Sequence, residues 1–133
     1  MSQTNTEAIR DFMAAFNRGD LDAVLEDLDP YAVVRFDPKW PENRPRFGIE
    51  EIRSFFEDLF STFGNTGDSV IEEVVEAGDR VVGRARFRFE IQGSGIQDEV
   101  VVTQVLTFRR GKIIEFEYFF DFSEALEAVG LSE

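Results

Sequence analysis

The sequence predicts an α+β domain in which helices from the N-terminal half cover one face of a curved antiparallel sheet from the C-terminal half. Three observations carry that prediction. Helical periodicity dominates the first half and period-two alternation the second. The stretch 81–92 sorts Val81, Gly83, Ala85, Phe87, Phe89 and Ile91 onto one face, and Val82, Arg84, Arg86, Arg88, Glu90 and Gln92 onto the other. A third helix carries an apolar stripe wider than a solvent-facing helix needs, as expected of one packed on a sheet.

Each element has a local reason. Thr4 and Glu7 have capping-box spacing, and Ile9, Phe12, Met13 and Phe16 after them share one helical face. Gly19 ends that helix and Asp20 caps a second, with Leu21, Val24, Leu25 and Leu28 as its apolar positions. Asp29-Pro30 breaks the pattern, and residues 31–37 read as the first strand. The segment 38–48 holds three of the 4 prolines and reads as a loop. The third helix starts near Ile49, shows Ile52, Phe56, Leu59 and Phe63 on one stripe with Phe55 and Phe60 beside it, and stops at Gly64. Strands follow near 70–77, 80–92, 97–110 and 112–122, with hairpin turns at Gly78-Asp79, Gly93-Ser94-Gly95 and Arg110-Gly111. A short helix from Ser123 to Gly130 closes the chain. A sheet wrapped around three helices forms a cone with an open end.

Composition limits what such a cone does. At 133 residues the chain is one domain, with a core but no room for a second. The net charge of −13 disfavours nucleic acid and anionic membrane surfaces as partners. No apolar run is long enough to span a bilayer and the N-terminus lacks the pattern of a secretion signal, so a cytoplasmic protein is expected. There is no Cys and no His, which removes thiolate chemistry and the commonest general base and metal ligand. Neither a metal nor another cofactor is expected. The 15 Phe suit either a dense core or a cavity for an apolar ligand.

Asp37 stands out in VVRFDPKW, an acid where the pattern asks for something apolar. Walled by Phe36, Pro38 and Trp40, it would have its ionised form disfavoured and its pKa raised towards that of a proton shuttle. The structural alternative is a cap on the turn before Pro38. Arg35 shares its face by strand periodicity and would either neutralise Asp37 or anchor an anionic ligand. Arg84, Arg86 and Arg88 fall on the outer sheet face beside Glu99, Thr103 and Thr107, where a cross-strand ladder or a subunit interface is expected. Glu72-Glu73 and Glu115/Glu117 read as a solvated face and not as a metal site.

The chain resembles the SnoaL-like and NTF2-like superfamily of cone-shaped α+β domains, which includes ketosteroid isomerases, limonene-type epoxide hydrolases and polyketide cyclases. The resemblance is carried by FNRGDLDAVLEDLDP at 16–30, RFDP at 35–38, FGIEEIRSFF at 47–56, RGKIIEFEYFFDFSEAL at 110–126 and AVGL at 128–131. It implies that Asp37 occupies the place of the isomerases' proton-moving aspartate. Phe12 and Gln104 stand where those enzymes have their two oxyanion donors, so the isomerase constellation is incomplete. Tyr118 stands where the epoxide hydrolases have an acid, Glu117 beside it points to the opposite face, and Asp121 lies near the late-strand acid of the cyclases. A homodimer through the outer sheet face is also implied. Two readings follow. One is a cofactor-free isomerase, cyclase or dehydratase with Asp37, Gln104 and Tyr118 as its polar groups, and Arg35, Trp40, Phe12, Phe16, Phe56, Phe116 and Phe120 around a small apolar substrate. The other is a non-catalytic module that binds a small ligand or pairs subunits.

Overall fold

The first helix, α1 (Asn5–Arg18), begins where the capping residues predict. The Thr4 hydroxyl oxygen accepts from the Glu7 N–H at 3.1 Å and the hydroxyl donates to the Glu7 carboxylate at 3.0 Å. Gly19 closes it with φ +67°, the left-handed conformation that favours glycine. Asp20 caps α2 (Leu21–Glu26) through the Ala23 N–H. The structure is a computed structural model and describes residues 4–65, 67–91 and 93–131. Gln92, expected on the outer face, lies outside the described residues.

Strand β1 (Leu28–Phe36) starts earlier than the sequence predicts. It runs through Pro30 because its pairing shifts register between Leu28 and Val33, an irregularity that tolerates a missing N–H. Two short strands lack any sequence signal: β2 (Arg46–Phe47) and β3 (Phe63–Asn65) bracket α3 (Gly48–Thr62). The helix therefore ends before Gly64, and Phe63 leaves it in extended conformation. The predicted meander follows as β4 (Val70–Ala77), β5 (Arg80–Ile91), β6 (Gln97–Arg109) and β7 (Lys112–Phe119), then α4 (Phe122–Ala128). The sheet has seven strands in the order β2-β1-β7-β6-β5-β3, with β4 also on β5. The β1–β7 pair is parallel and the others are antiparallel.

The core lies between this sheet and the first three helices. Ile9, Phe12, Met13 and Phe16 of α1 are buried, as the periodicity requires, against Ile52 and Phe56 of α3 and Val81, Ala85, Val102, Leu106 and Phe116 of the sheet. Burial of each large apolar side chain contributes about 1.5–3 kcal/mol. At Gly83 the buried Ile9 side chain of α1 comes so close that an added Cβ would lie 2.5 Å from its Cδ1. A second, smaller core sits on the outer face, where Ala125 and Leu126 of α4 cover Val82 and Val105. The outer face is thus partly covered by the chain's own last helix. The arginine stripe beside it forms the expected ladder: Arg84 meets Glu73 at 3.1 Å, Arg86 meets Glu72 at 2.8 Å and also Glu99, and Arg88 meets Asp68 at 3.2 Å. No helix among the described residues is long and apolar enough to cross a membrane.

Candidate functional site

The C-terminal end of α3 and the inner faces of β5, β6 and β7 do not close upon one another. Between them lies a cavity of about 390 Å³. Nine of its fourteen lining residues are aromatic: Phe16 from α1, Trp40 from the proline-rich loop, Phe55, Phe60 and Phe63 from α3 and its end, Phe87 and Phe89 from β5, and Tyr118 and Phe120 from β7 and its end. Pro41, Leu59, Val100 and Val102 complete the apolar wall, and Arg88 is the one charged member among the described lining residues. The Arg88 guanidinium is engaged with Asp68 at 3.2 Å and Glu99 at 3.9 Å. Phe63, Val100 and Phe120 are 39, 38 and 38% exposed, so the mouth itself is greasy.

Period-two alternation builds the inner wall. On β6 it turns Val102, Gln104 and Leu106 inward, and pairing with β7 sets Gln104 directly opposite Tyr118. Gln104 is fully buried behind Tyr118 and is not itself a lining residue, and neither its Oε1 nor its Nε2 makes a hydrogen bond of normal geometry to a described residue. Burial pushes the Tyr118 phenol up, and the nearby Gln104 amide draws it partly back. Both groups are therefore neutral hydrogen-bonding groups, and Tyr118 is no source of negative charge at neutral pH.

The structure corrects the expectations for Asp37 and Arg35. Asp37 is buried, at 4% exposure, but lies outside the cavity lining. Its Oδ1 accepts from the Lys39 N–H at 2.9 Å and its Oδ2 from the Phe120 N–H at 3.2 Å. The Lys39 amide is the largest cause of a pKa held below the ordinary carboxylate value. Burial opposes that shift, while the Phe120 amide and the Lys39 charge reinforce it. The predicted upward shift does not occur, because two hydrogen bonds to the ionised form outweigh desolvation. Arg35 does not neutralise Asp37 and does not face the cavity. It points outward and pairs with Glu115 at 2.7 Å.

Of the predicted ligand contacts, Trp40, Phe16 and Phe120 line the cavity. Phe12, Phe56 and Phe116 lie behind it in the solid core, where Phe12 packs on Phe56 and Phe116 at centroid distances of 6.0 and 5.1 Å. Asp121 is spent on capping α4, accepting from the Ser123 and Glu124 N–H groups. Glu117 faces outward, its pKa raised by burial and by neighbouring Glu115. Sequence reasoning missed Phe55, Phe60, Phe87 and Phe89 as a wall, although the broad stripe of α3 and the inward row of β5 were the signals for it. Among the described residues no group of three or more acids could hold a metal ion.

A second, polar cleft of about 400 Å³ lies beside the cavity, lined by Glu42, Arg44, Arg46, Glu51, Ser54 and Asp58 among others. Trp40, Pro41, Phe55, Leu59 and Phe63 line both spaces and form the partition between them.

A cone-shaped α+β domain enclosing an aromatic cavity is the class that this geometry defines. The SnoaL-like domain model matches residues 9–116, and the chain belongs to that family. An NTF2-like protein from Burkholderia thailandensis is 27% identical and superimposes with a TM-score of 0.75, covering 95% of this chain and 97% of that one. Bal32a, from a soil-derived mobile gene cassette, is also 27% identical, with a TM-score of 0.72 and coverage of 89% and 90%. A protein with a ketosteroid isomerase-like fold from Catenulispora acidiphila is 20% identical, with a TM-score of 0.76 and coverage of 96% and 95%. No match was found among curated proteins.

Proposed function

We propose that this SnoaL-like domain binds a small, largely apolar, uncharged molecule in the aromatic cavity, with one polar group of the ligand facing Gln104 and Tyr118. A fully buried amide that makes no hydrogen bond of normal geometry, and whose polar neighbour is the Tyr118 phenol of the chamber wall, is the observation that carries this reading. Buried polar groups are nearly always satisfied, and an exception in a native fold calls for a reason. A ligand carbonyl or hydroxyl supplies one, because it gains a partner where the protein otherwise leaves an amide bare. Apolar walls with a few convergent polar groups are the usual make-up of a small-molecule site.

Proton transfer by Asp37 is not part of this proposal. Its oxygens are occupied by backbone amides and its pKa is lowered, whereas a general base works best near the operating pH. Isomerisation or cyclisation centred on Asp37 therefore lacks an available acid, and binding without chemistry is the better-supported function.

Thermal shift with paired probes tests it. Naphthalene and 2-acetylnaphthalene share an aromatic body and differ by one carbonyl. Both should stabilise the protein, the ketone more, and Gln104→Met should abolish the difference between them. Absence of any shift with either probe would sink the binding reading.

A further inference from the structure

The Asp37 carboxylate that does not reach the cavity reaches both segments that close it. Its Oδ1 holds the Lys39 N–H and its Oδ2 the Phe120 N–H, while its main-chain carbonyl accepts from the Trp40 N–H at 2.8 Å. Trp40 and Phe120 are the rings at the mouth. They stack with centroids 5.4 Å apart and planes inclined by 19°, and both line the cavity. Trp40 also packs on Phe36 and Tyr118 at 5.3 and 5.1 Å, so its ring joins the loop to the aromatic wall. Behind it lies the polar cleft, reached through the partition that Trp40 and Pro41 share with Phe55, Leu59 and Phe63.

We propose that Asp37 is the latch of a lid: its carboxylate ties the Trp40 loop to the end of β7, keeps the Trp40–Phe120 stack closed, and ligand exchanges when that stack opens towards the polar cleft. This rests on the cavity being the binding site. Asp37 is then a positioning residue that touches no ligand. Hydrogen bonds to a carboxylate are stronger than neutral ones, so one buried acid extends the tie between the two segments just beyond the last β1–β7 pair, Phe36 with Tyr118. Asparagine at the same place keeps one acceptor oxygen and turns the other into an N–H that faces an N–H donor, which releases one segment. An unlatched lid changes how fast ligand enters and leaves more than how tightly it sits, because the chamber walls are untouched.

The test uses Trp40, the chain's single tryptophan, and N-phenyl-1-naphthylamine, an uncharged fluorophore that brightens in apolar surroundings. Stopped-flow binding is measured for the wild type, Asp37→Asn, Trp40→Ala and the double variant, and acrylamide quenching of Trp40 is measured without dye. Asp37→Asn should raise the association and dissociation rates together by about tenfold, the size expected for one charge-assisted hydrogen bond, and should raise the quenching constant. In the Trp40→Ala background the same substitution should leave the rates unchanged, since the lid is already gone. Equal acceleration in both backgrounds, or unaltered quenching, overturns the latch. If the wild type binds no dye, the cavity reading fails, while the quenching comparison still decides the latch. Should Asp37→Asn not fold, Phe120→Ala removes the stacking partner and leaves the amide. It should speed exchange in the same way, and unchanged exchange there is equally fatal.

Discussion

Replacing Gln104 by methionine should make the protein more stable and its binding worse. Gln104 is 0% exposed, and both of its side-chain polar atoms lack a hydrogen bond of normal geometry. In protein mutational data, an amide buried without a partner costs about 1–3 kcal/mol. Methionine follows the same unbranched path and brings no polar atom that needs satisfying. A shape-conserving core swap itself costs less than about 1.5 kcal/mol. The difference leaves a net gain of about 1 kcal/mol, equivalent to roughly 3–6 °C in Tm for a domain of this length. Urea unfolding at pH 7 reads it as a higher midpoint with an unchanged slope. The Tyr118 phenol stays neutral at that pH with or without the amide, so no ionisation confuses the comparison. A loss of about 1 kcal/mol or more would mean that the folded protein already satisfies the amide, and the reason for assigning it to a ligand would disappear. Higher stability with weaker ketone binding is the combined signature of a residue kept for its site and not for the fold.

Three further outcomes follow from the same geometry. Gly83→Val should lower stability by about 1–3 kcal/mol or more, because the new side chain must displace Ile9 of α1, as chemical unfolding will show. Asp37 has a folded-state pKa depressed below its ordinary value of about 3.9. Its contribution is therefore fully present above that value and is lost as pH falls through the folded pKa. The urea midpoints of the wild type and Asp37→Asn should differ at pH 7, begin to converge as pH falls below about 4 and meet once it is below the lowered folded-state pKa, and a gap that does not narrow over that descent would show that the carboxylate charge is not what holds the turn. A homodimer through the outer sheet face should sediment at twice the chain mass. Arg35→Glu, which sets a third acid beside Glu115 and Glu117, should shift it to monomer, and an unchanged dimer would place the interface elsewhere.

Much of the scaffold was legible because its signals are local. The face of α1 follows from four apolar residues at helical spacing, and the alternation of β5 separates Phe87 and Phe89 from the arginine ladder without any tertiary information. The two-residue turn between β6 and β7 is legible as well, with Arg110 and Gly111 at φ +52° and +78°. Strands β2 and β3 were not, because two or three residues hold no periodicity and exist only through pairing with β1 and β5. Nor was the division of the phenylalanines. Phe12, Phe56 and Phe116 fill the core while Phe16, Phe60 and Phe120 border empty space, and the six share one chemistry. Their difference lies in where α3 stops relative to the sheet, a property of the assembled layers and not of any window of sequence.

The fate of the acids turns on single-residue events. Strand β1 ends at Phe36, so strand parity no longer governs Asp37, and the turn at Pro38 swings its carboxylate to the Lys39 and Phe120 amides. On β7 the decisive event is a register shift. Next to the turn, Arg109 pairs with Lys112 and Phe108 with Ile113, whereas Thr107 pairs with Glu115. Ile114 is the extra residue of a β-bulge. Continued without it, the ladder would set Gln104 opposite Glu117 and bring a carboxylate to the cavity floor. With it, Tyr118 takes that place and Glu117 turns to the outer face. The doubled isoleucine in KIIEFEYF, which breaks an otherwise regular alternation, is the trace of that shift in the sequence. One inserted residue thus keeps a carboxylate off the cavity floor, in keeping with the uncharged ligand proposed for it.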